Sequence, residues 1–243
     1  MSDSLLAAFP PLTITVKGWN HLYWAENQMD DIFSELPLEG GDNFQFERLL
    51  HNRDFSSVGG LDEVGRGPLA GPVVAACVIL PTQGKHCCFL DSKKLSQPKR
   101  QQLYQDLITI DAAIGVGIVS ERTIEEINIL QASLLAMQQA VEDLASRAPL
   151  ADFLLVDGKF EIPSPLPQHT LIKGESKSAS IAAASIVAKV VRDGMMLKAH
   201  KQYPAYNFKQ NKGYPTKEHR SAIAKVGICP MHRKTFKGVK EFV

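Results

Sequence analysis

An α/β fold on a mixed five-stranded sheet is what this sequence predicts, and three observations predict it. Five short runs suited to strands recur at about 58–63, 72–80, 113–119, 152–157 and 168–174. Two of them, 72–80 and 152–157, are largely continuous apolar runs, as strands buried on both faces are. Between the third and the fourth lies a long segment with apolar residues at three- and four-residue steps, so three strands precede a helix and others follow it. That order fits a sheet with an antiparallel edge.

Taken in order, residues 1–57 hold Pro, acids and aromatics with weak periodicity and a break at Gly40-Gly41. They are expected to form an acidic N-terminal extension, partly ordered at most, with a short helix at 43–51 that puts Phe46, Leu49 and Leu50 on one side. The main domain is then 58–243. Its first strand leads straight into Asp62-Glu63-Val64-Gly65-Arg66-Gly67. Neighbouring side chains on a strand point to opposite faces, so the two acids can serve one ligand only where the backbone turns. Gly65 and Gly67 permit that turn and leave bare backbone for a ligand to approach. Two acids beside one arginine and exposed N–H groups suit a divalent cation together with a phosphate. An acidic pair in a Gly-rich loop is also what an ordinary surface turn looks like, and the six residues alone leave both readings open.

Beyond the second strand, Ser96 reads as the N-cap of a helix with Pro98 in its first turn, running to about Leu107. Lys93 and Lys94, just before it, are candidates for phosphate contacts or for a solvated helix entry. Gly115 and Gly117 weaken the third strand. Ser120 caps the long helix, whose stripe of Ile124, Ile127, Leu130, Leu134, Met137, Val141 and Leu144 is expected to be core. The fourth strand ends at Asp157-Gly158, at a carboxyl end where open α/β sheets place ligand-binding groups; a plain strand-ending turn has the same look. Asp157 is thus the candidate partner of Asp62. The fifth run is read as an edge strand reaching Gly174. A helix rich in Ala follows, suited to close packing on a sheet, and Asp193 in it is expected to hold Arg192 or a helix end. Thr216 caps a last helix. His219 and His232 lack the spacing of a zinc site and are expected to be structural or adjacent to phosphate.

The net charge of +1 conceals an asymmetry: residues 1–57 carry three Lys/Arg against nine Asp/Glu, whereas 198–243 carry eleven against two. Such a basic stretch is the electrostatic footprint of a nucleic-acid surface, and equally of a solvated Lys-rich helix face. No apolar run approaches the ~20 residues that span a bilayer, and the start lacks the basic region and cleavage site of a secretory signal. Cys77, Cys87, Cys88 and Cys229 show no metal-ligand spacing and are read as reduced thiols of a cytoplasmic protein.

The string GLDEVGRGPLAGP at 60–72 resembles the signature of ribonuclease HII, the RNase H type-2 family, usually written GIDEAGRGPLAGPV. Further segments match in order: DSKKLS at 91–96, NILQAS at 128–133, VDG at 156–158, KGESKSASIAAASIVAKVVRD at 173–193, KGYPTKEH at 212–219 and CPMHRKTF at 229–236. The likeness covers nearly all of 58–243. Leu61 and Val64 are apolar exchanges that leave the acids, glycines and arginine in place. Glu175 stands where the family usually has its fourth catalytic Asp, and Val191 replaces a Thr.

The resemblance implies an RNase H-like mixed five-stranded sheet flanked by helices, with a helical C-terminal portion. It implies a metal-dependent endonuclease that cuts the RNA strand of RNA–DNA hybrids and cuts at ribonucleotides embedded in DNA, leaving a 5′-phosphate and a 3′-hydroxyl. Asp62, Glu63 and Asp157 would carry Mg²⁺ or Mn²⁺, with Glu175 completing the catalytic set, in a two-metal scheme. Gly65, Arg66, Gly67 and Tyr214, with Lys93 and Lys94, would contact substrate. A cytoplasmic monomer serving DNA replication and ribonucleotide excision repair is expected, with no membrane association. Two alternatives stand beside it. One is the sister ribonuclease HIII, disfavoured by GRG where that family usually has GKG and by a head too short for its DNA-binding domain; the other is a non-catalytic hybrid-binding relative.

Overall fold

A computed structural model describes residues 33, 42–83, 89, 95–148 and 150–243. Lys93, Lys94, Cys87 and Cys88, and nearly all of 1–41, lie outside the described residues. The elements are α1 (Gln45–His51), β1 (Val58–Val64), β2 (Val73–Ile79), α2 (Gln97–Thr109), β3 (Ala113–Val119), α3 (Glu121–Ala145), β4 (Phe153–Asp157) and β5 (Gln168–Leu171). After a 3₁₀ turn at Gly174–Ser176 come α4 (Ala179–Gln202), a short α5 (Phe208–Asn211) and α6 (Lys217–Val226).

The sheet order is β3-β2-β1-β4-β5, with β1, β2 and β3 antiparallel and β1, β4 and β5 parallel. The mixed sheet and its antiparallel edge agree with the sequence. Three helix starts agree too: Ser96, Ser120 and Thr216 each accept a hydrogen bond from the N–H three residues on. The fifth strand stops at Leu171, short of Gly174, because Lys173 takes a left-handed φ of 58° and the chain enters the 3₁₀ turn.

Two cores cover the two faces of the sheet. Val74, Ala76 and Val78 of β2 pack with Ala179, Ala183 and Val187 of α4, while Val73, Ala75 and Cys77 pack with Ala132, Ala136 and Ala140 of α3. Both helices approach closely because strand glycines let them. A Cβ on Gly60 would stand 2.2 Å from the Ser180 backbone in α4, and one on Gly117 would stand 1.9 Å from the Ala136 carbonyl in α3. The glycines that weaken β3 as a sequence are the reason its helix fits.

This close fit also shifts the α3 stripe. The helix is interrupted at Asn128, whose φ is 66°, and the Asn128 side chain accepts from the Leu130 and Gln131 N–H groups, starting a second helical segment. Beyond the break the fully buried residues are Ala132, Ser133, Ala136, Met137, Ala140 and Leu144. Leu130, Leu134 and Val141, expected in the core, are only partly buried. Small residues take the face nearest the strand, and the leucines flank it.

The last part of the N-terminal extension docks on this framework. Glu47 in α1, 1% exposed, accepts from Ser178 Oγ at 2.6 Å and Ser180 N at 2.9 Å, so it caps the start of α4. Burial raises its pKa.

Candidate active site

The site lies where β1 and β4, adjacent and parallel, reach their carboxyl ends. Leu61 pairs with Val156, so Asp62 and Asp157 follow one step beyond on neighbouring strands. Strand β1 does not turn at the acids, as the sequence suggested; it continues to Val64, and the turn comes at Gly65, with φ 103°. Asp62 therefore sits opposite Ala76 on the α4 side and Glu63 opposite Ala75 on the α3 side.

Asp62 is 4% exposed. Its Oδ1 accepts from the Glu63 N–H at 2.7 Å, and its carboxyl bonds the Ser185 side chain of α4. Its pKa is raised well above the usual carboxylate value, first by burial, then by the charges of Glu63 and Asp157. Asp157 is pushed up to about 6 by burial and by the charge of Glu175, against the pull of the Gly174 N–H, which donates to Oδ1 at 2.6 Å. Asp157 and Glu175 also share a side-chain hydrogen bond. Glu175 thus belongs to the cluster, brought in by the turn that Gly174 anchors on Asp157. A shallow hollow beside α3 is lined by Glu63, Arg66, Ser133, Leu134, Asp157 and Phe160. Arg66 reaches Glu63 Oε1 at 3.3 Å with half its side chain still exposed.

The donor set is all oxygen, and its members destabilise one another's charges, so the residues fit a hard divalent cation. Among the described residues no three His, Cys, Asp or Glu side chains converge to enclose an ion by themselves. The lighter of the two candidate ions, Mg²⁺, usually takes one or two carboxylates and fills its shell with water and substrate phosphate, so a closed cage is not required.

Past Gly65 the loop at 65–72 is fastened by two arginines, Arg192 and Arg233, whose hold on the loop the sequence left unread. Arg233 donates to four of its carbonyls: Nη2 to Gly65 at 2.6 Å, Nη1 to Arg66 at 3.1 Å and Pro68 at 2.9 Å, and Nε to Gly71 at 2.9 Å. Arg192 donates to Ala70 at 3.1 Å, Pro72 at 2.9 Å and Lys212 at 2.9 Å. Asp193, expected to hold Arg192 or a helix end, instead pairs with Lys189 at 2.8 Å, one turn away inside α4. Burial lowers both guanidinium pKa values, to about 10 for Arg192 and about 9 for Arg233, which leaves both cationic at neutral pH. A charged residue inside an apolar helix was the available signal for Arg192, whereas nothing local marks Ser185 as the partner of Asp62. The Leu69 N–H donates to the Gly213 carbonyl at 2.8 Å, so the loop lies alongside 212–214. Tyr214 stands next to Gly67 and is 39% exposed.

The sequence pattern of the family Ribonuclease HII matches residues 59–239. The ribonuclease HII of Desulfotalea psychrophila is 61% identical over 215 residues, which cover 88% of this chain and 96% of that one. The chain belongs to the ribonuclease HII family. It is therefore an endoribonuclease of the ribonuclease H type, a hydrolase, and the ribonuclease HIII and non-catalytic alternatives fall away. Solved structures agree in fold. The ribonuclease HII in the PCNA:RNase HII complex from Archaeoglobus fulgidus aligns with TM-score 0.63 at 25% identity, over 74% of this chain and 95% of that one. Bst-RNase HIII in complex with Mn²⁺ aligns with TM-score 0.60 at 19% identity, over 77% and 69%.

Proposed function

We propose that the chain cuts the RNA strand of RNA–DNA hybrids and cuts at ribonucleotides embedded in duplex DNA, leaving a 5′-phosphate and a 3′-hydroxyl. Residues 58–243 form the catalytic domain in this reading, working as a monomer in the cytoplasm. The observation that carries it is the gathering of Asp62, Glu63, Asp157 and Glu175 beside a loop whose Arg66 and Gly67 are exposed next to Tyr214.

Asp62, Glu63 and Asp157 would hold Mg²⁺ or Mn²⁺, with Glu175 completing the set, because a cation relieves the repulsion that lifts Asp62 and Asp157. Metal held there would supply Lewis acidity for the scissile phosphate, the attacking water and the departing 3′ oxygen. The protein's own groups orient the acids: Ser185 and the Glu63 N–H hold Asp62, and the Gly174 N–H holds Asp157. Arg66 offers a fork for phosphate. The neighbouring backbone amides and the Tyr214 ring would read the sugar, where the 2′-hydroxyl separates RNA from DNA. The basic stretch at 198–243 draws in the polyanion.

Asp62→Asn and Asp157→Asn are expected to abolish cleavage of a duplex containing one ribonucleotide while hybrid binding, followed by fluorescence anisotropy, stays within a few fold of wild type. Turnover retained in either variant overturns the assignment. In metal-free buffer both variants should melt at or above the wild-type temperature, since each removes a member of a self-repelling cluster.

A further inference from the structure

Arg192 and Arg233 head the fully buried side chains, and among the described residues neither has a carboxylate within ion-pair distance. Backbone carbonyls solvate them instead. Apolar residues of similar volume often serve stability at least as well as buried charge, so loop closure alone is a weak reason for two buried guanidiniums. What the arrangement does supply is direction. In a planar trans peptide the C=O and the following N–H point opposite ways. With the Gly65 and Arg66 carbonyls turned inward onto Arg233, the Arg66 and Gly67 N–H groups are turned outward. Both residues are exposed, and among the described residues neither amide has an acceptor. The Arg233 guanidinium is itself fixed, with its Cζ 5.0 Å above the Phe236 ring.

We propose that Arg233 is a positioning residue for ribose selection: by holding the carbonyls of Gly65 and Arg66, it aims the amides of Arg66 and Gly67 at the 2′-hydroxyl of the nucleotide being cut. This rests on the reading of the loop as the contact to that sugar. A lysine keeps the charge but is a single flexible point donor that cannot fan across four carbonyls.

The test is single-turnover cutting by wild type and Arg233→Lys on two duplexes, one with a single ribonucleotide and one with its 2′-fluoro analogue. Thermal melts and duplex affinities are measured alongside. Arg233→Lys is expected to lose on the order of 100-fold in rate at the ribonucleotide, the scale for a slightly misplaced contact, with affinity nearly unchanged. Its preference for ribose over the 2′-fluoro sugar should narrow. An unchanged rate, or equal losses on both sugars, would show a merely structural role and overturn the inference while leaving the proposed function standing. A wild-type enzyme with no preference between the two sugars would overturn the ribose reading itself, and the inference with it. Should Arg233→Lys not fold, Gly67→Pro takes its place, since it deletes one outward N–H and leaves the guanidinium alone. The same selective loss is expected, and an undiminished ribose preference overturns the inference.

Discussion

Two buried histidines carry an ordered pair of protons. The Cys229 N–H donates to His232 Nδ1 at 2.9 Å, so the His232 proton sits on Nε2. That proton faces His219 Nε2 at 3.1 Å, which leaves the His219 proton on Nδ1, donating to the Tyr214 carbonyl at 2.9 Å. Every ring nitrogen is used within the protein, so neither ring keeps a lone pair for a metal. Burial, then the charge of His219, pulls His232 down to about 4, and burial lowers His219 as well. An unfolded chain takes up the His232 proton near 6.5, whereas the folded one resists until about 4. The stability that neutral His232 contributes is therefore complete above pH 6.5 and is lost as pH falls toward 4. His232→Asn keeps an acceptor but does not titrate. In urea unfolding measured from pH 7.5 down to pH 4.5, the stability gap between wild type and this variant should hold down to about pH 6.5 and narrow below it. A gap that does not change with pH would refute the protonation scheme.

At the scale of the elements, the decisive feature is contact between glycine and helix backbone. Gly117→Ala puts a methyl 1.9 Å from the Ala136 carbonyl, where no side-chain rotation relieves it, so a loss at the upper end of the ~1–3 kcal/mol typical of overpacking is expected. Gly194→Ala, inside α4 with open space around its Cβ, should instead gain up to about 1 kcal/mol from helix propensity. Denaturant unfolding of the two variants separates the effects, and equal outcomes would mean that the α3–β3 contact is looser than drawn. These positions also mark where the sequence was legible. Caps, the succession of strands and the end of β4 could be read because each depends on neighbours in the chain, as Ser96, Ser120 and Thr216 do, whereas β1 runs on past the acids to Val64. The alanine face of α3 could not be read, because it is set by Gly115 and Gly117 on another element. The acids followed the same division. Asp62 and Asp157 could be put forward as candidates from the runs they close in the sequence, while Ser185 and Arg233 reach the candidate site only through the fold.

At the scale of the whole molecule, the acidic extension divides at residue 42. Residues 42–57 are built into the fold: Glu47 caps α4, the Asn43 carbonyl accepts from Ala179 N at 2.6 Å, and Phe55 meets Phe153 edge to face with ring centroids 5.0 Å apart. Residues 1–41 add six acids and a single lysine, a charge of −5, to a chain whose residues 198–243 carry +9. An acidic segment of this charge is expected to compete with a polyanionic substrate for basic residues, and salt to weaken that competition as it shortens the Debye length. Starting the chain at residue 58 should lower the melting temperature, because Ser178 and the Ser180 N–H lose their acceptor at the head of the helix that carries Ser185. Starting it at residue 42 keeps those contacts and removes the −5 charge. Hybrid binding, measured by anisotropy as salt is raised from low to physiological, should be tighter than for the full chain at low salt. The two binding curves should then converge, with the shorter chain showing the steeper salt dependence. A shorter chain that binds more weakly at every salt concentration would mean that the acidic residues assist the substrate, and that the competition does not exist.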